Sequence, residues 1–251
     1  MLKLEQVSVK LSGHEVVREI DADLAPGKLY VMVGPNGAGK TTLLKAMAAL
    51  LPLDNGAVML DDRDARDLPP PVRASRIAYL PQERSIAWDL PCVDIAALGA
   101  QHLTPDLARQ RAFAELEALG LHEVCDRGVF GLSGGQRARV LLARVLASPA
   151  SILLLDEPLI ALDPAWQRQV LIRLKQRAAE GQTVILSLHD LHLAAQFADE
   201  ILLMHKGELK AMAPPEQVFT ETHLSEVFNL TGQLSGPPEA RVLTLASQPL
   251  L

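Results

Sequence analysis

The sequence predicts an α/β protein: a mostly parallel sheet flanked by helices, with an N-terminal antiparallel β subdomain and an inserted α-helical subdomain. Three observations predict it. Residues 31–33, Val-Met-Val, lead through Gly34, Gly37 and Gly39 into a stretch with Leu43, Leu44, Met47 and Leu50 at helical spacing. Residues 152–155 and 183–188 are apolar runs of the kind buried on both faces of a parallel sheet. Between residues 84 and 150 the apolar pattern is helical.

Residues 2–9 alternate apolar and polar, as a half-buried strand does. Val16, Ile20, Ala22 and Leu24 continue the alternation beyond Ser12-Gly13, so an antiparallel hairpin is expected. Pro26-Gly27 turns the chain into the strand at 31–33. After the first helix, Pro52 and Asn55-Gly56 punctuate the chain, and 57–60 is expected as a strand. The acidic, proline-rich run DDRDARDLPPP at 61–71 is expected to be a solvated loop. A strand at 77–80 ends at Pro81-Gln82. One helix is expected over 107–119, on Leu107, Phe113, Leu116 and Leu119, closed by Gly120, and another over about 136–147.

Beyond the strand at 151–155, a helix over 164–179 opens on Pro164, whose missing amide costs nothing at that position. A strand at 183–188, a short helix at 191–197 and a strand at 200–205 follow. Lys206-Gly207 reads as a turn, and 215–228 as two short helices. From residue 231 the sequence is uninformative, apart from an expected strand at 241–246. The expected division is an α/β core from 1–83 and 151–251, with 84–150 as the inserted helical unit. The whole domain covers about 2–230.

The chain has 251 residues, 49% of them hydrophobic, enough for a sizeable core. Its formal charge of −6 argues against a nucleic-acid surface, which carries a basic stripe, so no nucleic-acid partner is expected. Cys92 and Cys125 have neither metal spacing nor a disulfide framework and read as cytosolic thiols. The opening MLKLEQ has charges where a secretory leader needs an apolar run. The longest apolar region, 140–155, is interrupted by Arg144 and Pro149 and is not expected to span a bilayer. If the protein works at a membrane, another chain is expected to do the crossing, with this one on the cytoplasmic face.

Strand, glycine loop and helix in that order form a phosphate cradle, because loop amides and a helix N-terminus direct partial positive charge at one place. Gly34, Gly39, Lys40 and Thr41 meet the pattern GxxxxGK[ST], with Pro35, Asn36, Gly37 and Ala38 between them. Lys40 can reach the β- and γ-phosphates. The Thr41 hydroxyl suits Mg²⁺, and Thr42 with the loop amides can hold the α- and β-phosphates. An ordinary glycine turn would not need this strand and helix around it. Asp156 and Glu157 end an apolar strand, where ligands bind in parallel sheets. Asp156 suits the Mg²⁺ shell, and Glu157 can polarise a water for attack on the γ-phosphate.

The chain also contains LSGGQ at 132–136, LPQ at 80–82, ALD at 161–163 and His189 after a strand. This set, in this order, resembles the ATP-binding subunit of ATP-binding cassette (ABC) transporters, from residue 2 to about 229. LSGGQ is the discriminating motif, since phosphate loops occur in many NTPases. Its chemistry agrees: Ser133 is a good N-cap, and Gly134, Gly135 and Gln136 open a helix, which makes a second anion site. One phosphate loop and one distant anion site suggest two copies arranged head to tail, with an ATP between each loop and the other copy's LSGGQ. The resemblance implies that Gln82 touches Mg²⁺ or the attacking water. It implies that His189 contacts the γ-phosphate and holds Glu157 in line, and that Asp163 lies across the dimer interface.

Three departures stand out. Leu11 occupies the position where the family has an aromatic residue on adenine, leaving Leu11 and Val16 to offer apolar contact only. Leu159-Ile160 replaces small polar residues, and LGAQHL lacks the Arg of an otherwise similar segment in iron-siderophore, haem and cobalamin importers. The resemblance implies an ATPase that drives a separate membrane permease, with a substrate-binding protein in the complex and a metal chelate as cargo. Ile86 and Trp88, after Gln82, offer apolar side chains to a permease helix. A non-transport cassette of DNA repair or translation is the alternative class. It is disfavoured by the lack of coiled-coil insertions or a second cassette. A phosphate-loop kinase would have no use for LSGGQ.

Overall fold

The computed structural model describes residues 1–247. β1 (Leu2–Leu11) and β2 (His14–Leu24) form the expected hairpin over Ser12-Gly13. The simple alternation fails within it. Gln6 and Glu19 take positive φ, the register shifts on either side of Val7, and Val7, Ser8 and Val9 are buried in succession. A bulge adds a residue without a partner and so flips the pattern. β3 (Leu29–Val33) is buried throughout, and α1 (Lys40–Met47) follows the glycine loop. Leu50 does not continue that helix: Ala49 is left-handed, and Leu50 lies beyond it, 56% exposed.

β4 (Asn55–Leu60) lies antiparallel to β1 and turns back into the two-residue β5 (Arg63–Asp64). The solvated loop expected at 61–71 is therefore corrected. Asp61 and Asp62 both have positive φ, as the two central residues of a tight hairpin do. Ala65 and Leu68 are buried, and α2 (Pro70–Arg76) starts on two prolines. Proline breaks helices internally but suits their first turn, so the run that reads as a breaker is a start signal.

β6 (Ile77–Leu80) leads into the helical stretch: α3 (Cys92–Ala97), α4 (Pro105–Ala118) and α5 (Gly134–Ala147). α4 buries only part of the face expected: Leu116 and the following Leu119 are buried as expected. Leu107 and Phe113 are exposed, while Ala108, Ala112, Glu115 and Leu116 are buried. Small residues let α4 sit close to its neighbours, and Glu115 is buried because Arg173 pairs with it at 2.6 Å.

β7 (Ile152–Leu155), α6 (Pro164–Ala179), β8 (Thr183–Ser187), α7 (Leu191–Phe197) and β9 (Glu200–His205) occupy the expected positions. β10 (Glu208–Ala213), α8 (Pro215–Val218), α9 (Glu221–Phe228), β11 (Leu230–Ser235) and β12 (Val242–Ser247) complete the described chain. β10 and β11 have no counterpart in the sequence reading; β12 is the expected 241–246 strand moved by one residue.

The main sheet runs β10-β9-β3-β8-β7-β6, parallel except for β10 against β9. β3, β8 and β7 are adjacent, so their carboxyl ends bring together the glycine loop, residues 187–189 and Asp156-Glu157. One face of the sheet packs with α1 and the antiparallel β1, β2 and β4. The other shares a continuous apolar cluster with α3, α4, α5 and α6. Polar contacts fasten the inserted helices to α6: Arg139 stacks on Trp166 at 3.8 Å from the ring centroid, and Arg177 Nη2 donates to the Leu146 carbonyl at 3.1 Å.

Candidate active site

The loop between β3 and α1 is shaped by contacts that only glycine permits. At Gly34 a Cβ would lie 2.2 Å from the Met204 carbonyl oxygen, and at Gly39 2.7 Å from that of Val16, with φ of +155° and +98°. A side chain at either place would force the backbone apart. No side chain caps α1 at Gly39, so its first amides keep their capacity for an anion. Lys40 is buried, and its Nζ donates to the carbonyls of Gly34 at 2.7 Å and Pro35 at 3.1 Å. Burial holds the Lys40 ammonium below its ordinary pKa, against the pull of Glu157 and Asp156.

Asp156 follows β7 and is fully buried. Its Oδ1 accepts a 2.7 Å hydrogen bond from Ser187 Oγ, and the same Ser187 oxygen accepts the Glu157 amide at 2.9 Å. Ser187 thus fixes the directions of both acids. The sequence reading missed it; its only signal is a hydroxyl ending an otherwise apolar strand. Asp156 Oδ2 is buried with no hydrogen-bond partner among the described residues. An unpaired buried carboxylate oxygen is costly unless a cation meets it. The Thr41 hydroxyl and the Gln82 amide oxygen line the phosphate-loop cleft, and these two with Asp156 are all oxygen donors, the chemistry that suits a hard divalent ion such as Mg²⁺. Nearby, Tyr79 has a buried hydroxyl without a partner, and burial, helped by Asp156, pushes its pKa up to about 12.

Glu157 takes a left-handed conformation, φ +49°. One carboxylate oxygen lies 2.5 Å from His189 Nε2, and the other accepts from Gln82 Nε2 at 3.2 Å. These three residues and the loop from Asn36 to Thr42 line one cleft of about 260 Å³, with Val16 at its side. The structure therefore assembles Lys40, Thr41, Thr42, Gln82, Glu157 and His189. Leu11 is exposed and does not line the cleft.

Ser133 and the residues after it lie elsewhere. Ser133 Oγ accepts the Gln136 amide at 3.2 Å, and Gln136 Oε1 accepts the Ser133 amide at 3.0 Å, a complete capping box at the start of α5. Gly134 and Gly135 are the first helical residues, so α5 starts two residues before the expected 136. Gly134 lines a separate cleft of about 340 Å³ with Gln82, Arg84, Phe130, Arg137 and Ile160. Asp163 caps α6, its Oδ1 accepting the Trp166 amide at 2.9 Å. Neither Asp163 nor residues 133–136 line the phosphate-loop cleft of their own chain.

Residues 17–160 match the family model described as ABC transporter. The hemin import ATP-binding protein HmuV of Streptomyces coelicolor is 42% identical over 225 residues, 88% of this chain and 80% of that protein. The manganese transport system ATP-binding protein MntB of Bacillus subtilis is 34% identical over 235 residues, 90% and 92% of the two chains. Among solved structures, an inward-facing metal-chelate type ABC transporter aligns with a TM-score of 0.80 at 26% identity, covering 98% of this chain and 96% of that one. A dimeric ATP-binding cassette in a post-hydrolysis state, bound to ADP and Pi, aligns at 0.76 with 25% identity, 86% and 99% covered.

Proposed function

This chain belongs to the ABC transporter family as an ATP-hydrolysing subunit, and on that premise we propose that two copies close head to tail around two Mg-ATP and drive import through separate membrane permease subunits. The cargo is a metal chelate of the haem type, delivered by a substrate-binding protein. Residues 1–83 and 151–251 serve as the ATP-binding core, and 84–150 as an inserted helical unit that meets the permease. Among the described residues no helix is long and apolar enough to cross a membrane. The subunit sits peripherally on the cytoplasmic face of the cell membrane.

The chemistry follows from the cleft. Lys40 exchanges its two carbonyl partners for the β- and γ-phosphate oxygens, a charge-assisted contact stronger than the one it gives up. Thr41, Gln82 and Asp156 would hold the Mg²⁺ that accompanies the nucleotide, which would supply positive charge against the developing charge of the phosphates. Glu157 accepts a proton from the attacking water as its oxygen joins the γ-phosphorus and ADP leaves, giving ADP and inorganic phosphate. His189 fixes the Glu157 carboxylate and contacts the γ-phosphate, while Gln82 touches the ion or the water. Ser133, Gly134 and Gly135 of one copy close on the nucleotide held by the other, and Asp163 faces the opposite chain. Trp88, 72% exposed, is free to meet the permease, whereas Ile86 packs inward on the core.

One observation supports this most: a complete set of hydrolytic residues shares a cleft that the chain's own Ser133–Gln136 helix start does not reach. The test is to copurify the subunit with its membrane partner and measure ATPase activity in proteoliposomes. Hemin with its binding protein should stimulate turnover several-fold. Stimulation by manganese alone would reassign the cargo, and failure to retain any membrane protein would contradict the transport role.

A further inference from the structure

The segment at 81–91 leaves β6 beside Asp156 and enters the inserted helices at α3. Gln82, at its start, touches Glu157 through the side chain only. A second residue grips the catalytic turn by its backbone. Arg84 Nη2 donates to the Glu157 carbonyl oxygen, and Arg84 Nη1 donates to the Ile160 carbonyl oxygen at 3.2 Å. These two carbonyls belong to one turn, which opens on Glu157 at φ +49° and includes Ala161 at φ +68°. Its internal bond, from the Ile160 amide to the Glu157 carbonyl, is 3.3 Å long. A turn with two left-handed non-glycine residues and one long hydrogen bond needs outside support to keep its shape.

Arginine is suited to that support. Its planar fork reaches two acceptors at once in fixed relative directions, which a lysine cannot do. Arg84 Nε is buried without a partner among the described residues, so the head is held in place at some cost. Its charge also sits beside Asp156 and Glu157, which offsets their mutual repulsion. Arg84 lines the neighbouring cleft and not the phosphate-loop cleft, so it does not touch the nucleotide pocket of its own chain.

We propose that Arg84 is a positioning residue for ATP hydrolysis: it clamps the Glu157 and Ile160 carbonyls, aims the Glu157 carboxylate, and ties the 81–91 segment to the catalytic turn. A displacement of that segment is then felt at the carboxylate through two backbone contacts as well as through Gln82. The inference rests on the reading of Glu157 as the group that acts on water.

The test compares full-length Arg84→Ala, Arg84→Lys and Glu157→Gln in steady-state hydrolysis of Mg-ATP. Misaiming a catalytic group costs about 10- to 100-fold. Arg84→Ala should therefore lower kcat by about that much, with KM and the ATP-induced rise in Tm unchanged. Arg84→Lys, able to satisfy one carbonyl at a time, should fall between Arg84→Ala and the wild type. It also decides the question if the alanine variant does not fold. Wild-type kcat in Arg84→Lys or Arg84→Ala, beside an inactive Glu157→Gln, would overturn the clamp alone. A joint loss of KM, Tm shift and kcat would overturn it in favour of general support of the fold. Undiminished turnover in Glu157→Gln would overturn the reading of Glu157, and the clamp with it.

Discussion

Two helix starts in this protein carry glycines, and they are built on opposite principles. At the phosphate loop the glycines are required by the chain itself. Added side chains at Gly34 and Gly39 would run into the carbonyls of Met204 and Val16. At the start of α5 they are not. A Cβ at Gly134 meets nothing within 4 Å, and at Gly135 only the Ala161 carbonyl at 3.1 Å. Gly134 also has no positive φ that would exclude other residues. One cradle is thus complete within the chain, with its lysine and acids around it. The other keeps a bare surface that its own fold does not use, as close approach by an outside ligand would require.

The largest expected effect separates chemistry from assembly. If Glu157 takes the proton as proposed, Glu157→Gln should lower turnover roughly 10²- to 10⁴-fold in a steady-state assay while ATP still binds. Next come the glycines. Gly34→Ala should lower stability by about 2–5 kcal/mol in denaturant unfolding, from overpacking and backbone strain together. Gly134→Ala should leave stability unchanged or raise it by up to about 1 kcal/mol, since alanine favours helix, yet weaken ATP-dependent self-association about tenfold in sedimentation. Equal destabilisation by the two substitutions would erase the contrast drawn above.

The smallest effect lies under the acids. Tyr79 titrates near 10 when unfolded and at about 12 when folded. The native state therefore holds the phenol proton more tightly, and its contribution to stability is present below pH 10 and lost as pH rises towards 12. Tyr79→Phe should remove that alkaline loss. It should also gain about 1 kcal/mol at neutral pH, because an unpartnered buried hydroxyl disappears. Unfolding midpoints at pH 7 and pH 11 would show both.

The phosphate-loop region was largely legible in the sequence, because its signals are local. An apolar strand, a fixed glycine spacing and a lysine sit within one short stretch. Lys40, Thr41, Gln82, Glu157 and His189 meet in one cleft, as the motifs together suggested. Features that depend on distant partners were not legible. Glu115 looks like a surface acid until Arg173, far along the chain, is brought to it by folding, and it is buried on α4 with Ala108, Ala112 and Leu116 while Leu107 and Phe113 are exposed. Ser187 and Arg84 are single residues whose meaning comes from the turn they contact. β10 is an edge strand without clean alternation, so periodicity gave no signal for it. In the 61–71 run the prolines read locally as breakers, although they open α2.

The account stands on two copies sharing what one chain keeps apart, and light scattering of the Glu157→Gln variant measures this most directly. With saturating Mg-ATP the predicted mass is that of two chains, returning to one chain when Lys40→Ala is added. A mass of one chain with ATP demonstrably bound would contradict it.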